Sequence, residues 1–352
     1  MTTERARVIR GNALALPLAD ASVDLVVTSP PYFGLRSYQD GGVHYEGQIG
    51  DEATPAEFVD ALLAATREMV RVVKPSGSIW VNLGDKYAQA EERSRNGEGA
   101  RRDPRNVTKS YLGETVKLGR LDNGVPRKSL IGVPWRYALR CIDDLGLILR
   151  AEVIWSKPNG LPESVTDRVR RSHETWFHFA KQPRYFSAVD EVREEHLTAP
   201  LYDKRAAGLE IPGARRQTNL GPGASHQNPA NYSPLGKLPG SVWTIPTRPL
   251  RVPDHLGVDH FAAFPMEWPR RIIRGWSPAG GTILDPFGGT GTTALVARAW
   301  GRHGISVDMS ADYCRLAEWR VNDPGELARA MQVERPPKEL PDQLDMFGGD
   351  AA

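Results

Sequence analysis

Asp285-Pro-Phe-Gly-Gly-Thr-Gly-Thr-Thr-Ala294 is the run that decides the fold. Before it, Thr282-Ile-Leu284 reads as a short strand, set off by Gly280-Gly281 from a helix expected over 265–275. After it the pattern predicts a helix from about 291 to 300. Gly289, Gly291 and Ala294 fit the spacing G-x-G-x-x-G/A. Glycines let a backbone approach a ligand closely, and the first turn of the following helix offers unpaired N–H groups. The next strand, Gly304-Ile-Ser-Val307, closes on Asp308, about 20 residues beyond the glycines. An acid there can accept hydrogen bonds from both ribose hydroxyls. Strand, glycine turn, helix, strand and acid together predict a nucleoside site. No lysine follows the glycines, which excludes a phosphate-binding P-loop.

A second constellation lies far upstream. Val23-Asp-Leu-Val-Val27 reads as a buried strand that ends at Thr28-Ser-Pro-Pro-Tyr32. Open α/β sheets bind ligands at the carboxyl ends of their strands. Pro30 and Pro31 lock the backbone and remove two N–H donors. What remains is a rigid rim of carbonyl acceptors beside the Ser29 hydroxyl and the Tyr32 ring. Such a rim suits an amino group that must donate two hydrogen bonds. Tyr32, followed by Phe33, offers a flat face on which a base can stack. A kinked loop with a core tyrosine is the plainer alternative, but it leaves unexplained why the run ends a buried strand.

Outward from these two runs the chain alternates strand and helix. Phe58, Leu62, Ala65, Met69 and Val72 have helical spacing over 55–73, Lys74-Pro-Ser-Gly77 reads as a stop and turn, and Ile79–Leu83 reads as the next strand. This strand–helix–strand unit implies parallel strands joined by a right-handed crossover. Residues 86–128 are polar and read as a long surface loop. A helix is expected over 134–145, strands over 147–155 and 174–180, and a helix over 311–320. Residues 187–256 lack periodicity and read as an irregular module, and 324–352 read as a flexible tail.

Composition narrows the class. The chain has 352 residues with hydrophobic and charged shares of a soluble protein, and it has no apolar run long enough to span a bilayer. Met1–Arg7 lacks the apolar core of a signal peptide, so a cytoplasmic location is expected. Cys141 and Cys314 are too few for a metal cluster and read as reduced thiols. Net charge is +2, yet arginines and lysines crowd 101–109 and 168–171, which is compatible with phosphate contacts.

The paired motifs resemble the amino-methyltransferases of DNA. Thr28-Ser-Pro-Pro-Tyr32 is similar to their catalytic motif, and Asp285–Gly291 to their cofactor motif. The catalytic motif comes first, as in the permuted beta group. Leu18–Val27 leads into the catalytic motif in the way usual for the family. Trp155-Ser-Lys-Pro-Asn-Gly-Leu-Pro-Glu-Ser164, with Ser172-His-Glu174, is similar to a segment of members that methylate cytosine N4. Phe261-Ala-Ala-Phe-Pro265 resembles the segment that precedes the cofactor strand. The resemblance covers most of 8–186 and 258–320. One departure is Asn12, where related chains often carry aspartate after the glycine.

That resemblance implies a Rossmann-like, S-adenosylmethionine-dependent methyltransferase fold: an α/β protein with a mostly parallel sheet, helices on both faces and an irregular target-recognition region. Residues 1–186 would form the catalytic half, 187–256 the recognition region and 257–323 the cofactor half. S-adenosylmethionine is implied as donor. Phe264, Phe287, Gly289, Gly291 and Thr292 would line its site, Asp308 would hold the ribose, and Asp285 would order the loop or bind the methionine end. Double-stranded DNA is the implied partner. Its target base must leave the duplex, at a cost of about a few kcal/mol. Tyr32 would stack on it, while Ser29 and the Pro30 carbonyl, on the turn fixed by Pro31, would accept the amino hydrogens. C5-cytosine methylation needs a cysteine nucleophile; neither cysteine follows a proline, so that route is rejected. Serine before Pro-Pro-Tyr favours cytosine N4, and adenine N6 stays the alternative. A protein-glutamine methyltransferase, a nicotinamide oxidoreductase and a DNA-binding module with a decayed site are further rivals. Gln343-Leu-Asp-Met-Phe347 resembles the short peptide that docks on bacterial sliding clamps, with an ordinary tail as its alternative.

Overall fold

The computed structural model describes residues 5–34, 39–40, 43–44, 47–88, 125–126, 128–160, 162–195, 233, 235–250, 252–258 and 263–332. Its strands are β1 (Ala6–Arg10), β2 (Val23–Thr28), β3 (Gln39–Asp40), β4 (Val43–His44), β5 (Val73–Leu83), β6 (Ile148–Ser156), β7 (His173–Ala180), β8 (Val242–Thr244), β9 (Thr282–Asp285) and β10 (His303–Asp308). Its α-helices are α1 (Pro55–Val72), α2 (Val133–Asp143), α3 (Glu267–Trp276), α4 (Thr292–Ala299), α5 (Ala311–Asn322) and α6 (Pro324–Ala330).

Eight strands form one sheet in the order β1-β10-β9-β2-β5-β7-β6-β8. Every neighbouring pair is parallel except those made by β7, which runs against both β5 and β6. From β2 the chain passes through α1 to β5 on one side. From β9 it passes through α4 to β10 on the other. The carboxyl ends of β2 and β9 therefore lie side by side at the point where the winding reverses, the place where open α/β sheets bind ligands. The fold is the mostly parallel α/β sheet that the motifs imply.

Alternation along the strands feeds a core on each face. Val26, Ile79, Val81, Phe177 and Phe179 pack with Phe58, Leu62 and Met69 of α1 and Tyr137 of α2. Leu25, Val27, Trp80, Trp176 and Ile283 pack on the opposite face with Trp268 and Ile272 of α3 and Leu295 of α4. Because both faces are covered, β2 has no fully exposed residue, as expected of a central parallel strand. Helix α1 starts on a capping box: Thr54 accepts from the Glu57 N–H, and the Glu57 side chain reaches back to the Thr54 N–H.

Three expectations change. Lys74–Gly77 is not a turn between elements but a bulge inside β5, since Val23 pairs with Val73 and Leu25 already with Ser78. Proline, serine and glycine break the ladder locally, and the ladder resumes because Ile79–Leu83 is buried on both faces. The tail does not begin at 324: Pro324–Ala330 is α6, started by an Asp323 side chain that accepts from the Glu326 N–H. Its Glu326 forms a buried ion pair with Arg320 of α5 at 2.9 Å. Residues 187–256 are not wholly irregular, because Val242–Thr244 adds edge strand β8 to β6. Strand β1, whose polar and apolar residues give little periodicity, is an addition to the sequence reading. Most of the polar loop 86–128, the basic run 101–109 and Gln343–Phe347 lie outside the described residues.

Candidate active site

The loop after β9 is held from behind. Asp285, 2% exposed, accepts from the Thr28 hydroxyl at 2.6 Å, the Thr293 hydroxyl at 3.0 Å and the Phe287 N–H at 3.2 Å. Burial pushes its carboxyl up to about 6, against the pull of these hydrogen bonds. Gly288 passes so close to β10 that a Cβ would stand 1.9 Å from Ser306 Oγ. Gly291, at φ 71°, opens α4 with no side-chain cap and packs on Ala317 of α5. Asp308, at the end of β10, accepts from the Gly289 N–H at 2.8 Å and the Ser310 N–H at 2.9 Å. Arg320 donates to Thr292 Oγ1 at 2.7 Å and Thr290 Oγ1 at 2.9 Å while paired with Glu326. Helix α6 is thereby tied to the glycine loop.

The Thr28–Tyr32 turn is held by side chains from three other strand ends. Asn82, near the end of β5, satisfies its surroundings in one orientation. Its amide nitrogen then faces Tyr32 Oη at 2.7 Å, Glu174 at 2.9 Å and Ser29 Oγ at 3.2 Å, and its oxygen receives the Trp176 indole N–H at 3.2 Å. The opposite orientation would set the amide carbonyl against the Glu174 carboxylate and the amide nitrogen against an N–H. Tyr32 donates its hydroxyl to Glu174 Oε2 at 2.7 Å. The other carboxylate oxygen of Glu174 takes the Lys157 ammonium, which also sits 4.2 Å from the Trp155 ring centroid. Gly84 lies against the tyrosine ring, where a Cβ would come within 2.7 Å of Cε2.

Both constructions open into one cleft of about 840 Å³. Ser29, Pro30, Pro31, Tyr32, Phe264, Phe287, Gly289, Thr292 and Asp308 all line it. Asp285 and Gly291 do not; they stand behind the lining and shape it. Phe264 also meets Trp176 edge-on at 5.6 Å. Asn12 lines the cleft too, with its side chain turned to the Leu14 N–H at 2.9 Å. Sequence reasoning missed the roles of Asn82, Glu174, Lys157 and Arg320. The rule that ligands gather at strand carboxyl ends points to Asn82 and Lys157. Because β7 is antiparallel, its beginning, and so Glu174, comes to the same edge. No local pattern marks Arg320.

A family described as DNA methylase matches residues 23–319 of this chain. The type II methyltransferase M.SmaI of Serratia marcescens is 34% identical over 300 residues, which cover 85% of this chain and 84% of its own length. M.XycI of Xanthomonas campestris pv. cyanopsidis is 34% identical over 313 residues, 88% of this chain and 86% of its own. Among solved structures, PvuII DNA methyltransferase (cytosine-N4-specific) superposes with a TM-score of 0.59 at 20% identity, with 95% of both chains covered, a likeness of fold.

Proposed function

Since this chain belongs to the DNA methylase family, among the amino-methyltransferases of DNA, we propose that it moves a methyl group from S-adenosylmethionine to the N4 amino group of a cytosine in a specific DNA site. The observation that carries this reading is the shared cleft: the amino-accepting turn and the glycine loop line one cavity and are joined by the Thr28–Asp285 hydrogen bond.

The loop fits such a cofactor. A Cβ on Gly289 would meet nothing closer than the Phe287 carbonyl at 3.9 Å, so a ligand can lie directly on this backbone. Asp308 brings a carboxylate, the kind of acceptor that ribose hydroxyls need, to the cleft beside the glycine loop. The cations that line the cleft, Lys157, Arg171 and Arg248, come from the β6–β7 loop and the segment after β8, not from the glycine loop. The methylase family match favours S-adenosylmethionine over a dinucleotide at this glycine turn. When bound, S-adenosylmethionine supplies a methyl group on a sulfonium sulfur.

The remaining chemistry belongs to the chain. Tyr32 presents a ring whose hydroxyl is anchored by Glu174 and Asn82, so the ring is set before a base arrives. The Pro30 carbonyl and Ser29 Oγ would accept the two amino hydrogens and turn the nitrogen lone pair out of conjugation with the base. Positioning of this kind can supply much of the rate. A covalent route through cysteine has no support: burial pushes the Cys141 thiol up to about 12, and neither Cys141 nor Cys314 lines the cleft. Residues 187–256 would read the DNA sequence.

Mass spectrometry of nucleosides from DNA treated with the protein and methyl-labelled S-adenosylmethionine tests this reading. Label in N4-methylcytosine is the expected result. Label in N6-methyladenine would keep the mechanism and overturn the choice of base. Label in protein glutamine and none in DNA would overturn the reading.

A further inference from the structure

We infer that the Lys157 ammonium donates a hydrogen bond to O2 of the target cytosine and so tells that base from adenine. This rests on the proposal that the chain methylates cytosine N4 in DNA, and it names the group that selects the base. Three cations line the cleft: Lys157, Arg171 and Arg248. Arg171 is turned to Asp85 at 3.7 Å, and Arg248 lies on the segment after β8. Of the three, Lys157 is the one bonded to the group that holds Tyr32.

Lys157 stands one residue past the end of β6, and its backbone is fixed there. Its N–H donates to the Ser172 carbonyl at 2.8 Å, and its carbonyl accepts from the Gly160 N–H at 3.3 Å. Among the described residues its ammonium has two neighbours, the Glu174 carboxylate and the Trp155 ring, whose centroid is 4.2 Å away. Trp155 is pinned in turn, with its indole N–H on the Ile245 carbonyl at 2.7 Å. Glu174 connects the ammonium to the stacking ring: one carboxylate oxygen takes Lys157 and the other takes the Tyr32 hydroxyl at 2.7 Å. Two hydrogen bonds across one carboxylate keep Nζ within about 8 Å of Tyr32 Oη. An ammonium has three N–H donors. Glu174 accepts one, and even with a second turned to the Trp155 face, one is left for a ligand in the cleft.

Enzymes that flip a base read its Watson–Crick edge by hydrogen bonds. With the amino hydrogens of a cytosine on Ser29 and the Pro30 carbonyl, that edge still presents two acceptors, N3 and O2. The Asn82 amide nitrogen is spent on Tyr32, Glu174 and Ser29, and the Glu174 carboxylate can only accept. Lys157 supplies the donor that this end otherwise lacks. Adenine held by its amino group in the same way presents N1 and a C–H, so the ammonium would face carbon where cytosine has O2. A site built to bond a polar group rejects the analogue that lacks it, because its own buried donor is left unpaired.

The test begins by sequencing DNA from cells that express the protein, which gives the methylated site. Two duplexes carrying that site are then compared, one with cytosine at the target position and one with its 2-aminopyridine analogue, which keeps the amino group and the ring nitrogen but has a C–H in place of the O2 carbonyl. Single-turnover transfer from methyl-labelled S-adenosylmethionine is measured for the unaltered protein and for Lys157→Met. On cytosine Lys157→Met should slow transfer by about 10–100-fold, the scale of a hydrogen bond to a charged group, and the unaltered protein should lose a similar factor on the analogue. Loss of the counter-ion of Glu174 falls on both duplexes alike and cancels in the comparison, so the loss on cytosine should exceed the loss on the analogue by about ten-fold or more. Calorimetric titration should show unchanged S-adenosylmethionine affinity in Lys157→Met, which also reports a folded protein. An equal loss on both duplexes would reduce Lys157 to a holder of Glu174, and equal rates on cytosine would remove it from the base site; either overturns the inference. No transfer to the analogue by the unaltered protein would overturn it too, since one hydrogen bond cannot account for so large a loss. Label in adenine, or in no DNA at all, from the unaltered protein would instead overturn the functional reading beneath it.

Discussion

The two ends of the cleft are built in different ways. The glycine end is nearly contiguous in sequence and held by buried groups: Asp285 is 2% exposed, Arg320 3% and Glu326 1%. The tyrosine end draws its parts from four places in the chain, and its ion pair is more exposed, with Lys157 and Glu174 side chains 19% and 16% exposed. A site for an unchanging cofactor can be fixed by backbone that fits tightly against the next strand. On the proposed reading the other end receives a base from DNA, and it is fixed by side chains that converge after folding. Damage at the first end should therefore appear in stability and cofactor affinity, and damage at the second in turnover.

The largest expected effect tests the first half of that contrast. Arg320→Ala removes the donor to Thr290 and Thr292 and leaves Glu326 paired with Arg329, whose side chain is half exposed. Breaking a buried pair costs about 3–5 kcal/mol. Urea denaturation should show a loss of that size, and calorimetric titration should show weaker S-adenosylmethionine binding. Arg320→Met combined with Glu326→Leu removes both charges and should recover much of the stability, but not the affinity. An Arg320→Ala protein with unchanged stability and affinity would erase the contrast from the glycine side.

Turnover should separate from affinity at the other end. Ser29→Ala and Tyr32→Ala are expected to lower kcat by about 10²–10³-fold, the scale for removing one hydrogen-bonding or positioning group at a reacting centre. Their dissociation constants for S-adenosylmethionine should stay within error of the unaltered protein. Asp308→Ala should do the reverse and weaken S-adenosylmethionine binding. Near-normal rates in both Ser29→Ala and Tyr32→Ala would remove the turn from the active site, and an unchanged constant in Asp308→Ala would remove that carboxylate from the cofactor site.

Acidity probes the glycine end without cutting any bond. Asp285 loses its proton near 3.8 when unfolded and near 6 when folded. Between those values the folded state holds more protons, so this group's contribution to stability falls as pH rises from about 4 to about 6, then levels off. Over the whole transition the change amounts to roughly 3 kcal/mol, of which roughly 2 kcal/mol falls between pH 4.5 and 7.5. Asp285→Asn should lack it. Chemical denaturation of both proteins at pH 4.5 and 7.5 measures the difference, and parallel curves would show that Asp285 does not titrate in this range.

The contrast also explains what could be read from the sequence. Thr28–Tyr32 and Asp285–Asp308 were legible because each is a local run at the end of a strand, with the glycines and prolines that the backbone there requires. Ser29, Tyr32 and Asp308 all reach the shared cleft, as those runs imply. Asn82, Glu174 and Lys157 were not assigned because they meet only through the order of β5, β7 and β6, and nothing near Glu174 tells that its strand runs antiparallel. Helix α6 was misread for a related reason. Proline and acids next to 324 look like tail chemistry, whereas Asp323 caps a helix whose Glu326 is wanted by a buried arginine.

The smallest expected effect is the most discriminating for the tyrosine end. Glu174→Gln keeps an oxygen that can accept the Tyr32 hydroxyl but removes the charge that faces Lys157. If the carboxylate serves only to hold the ring, kcat should fall by about ten-fold or less, with S-adenosylmethionine affinity unchanged, because a neutral hydrogen bond replaces a charge-assisted one at a cost of about 1 kcal/mol. Glu174→Ala should cost more, since Tyr32 and Asn82 then lose a shared partner. A Glu174→Gln protein that binds cofactor normally yet transfers almost no methyl would contradict a holding role. The charge itself would then act on the amino group as it gains positive character, and the tyrosine end would be chemical machinery in its own right rather than a frame for one aromatic ring.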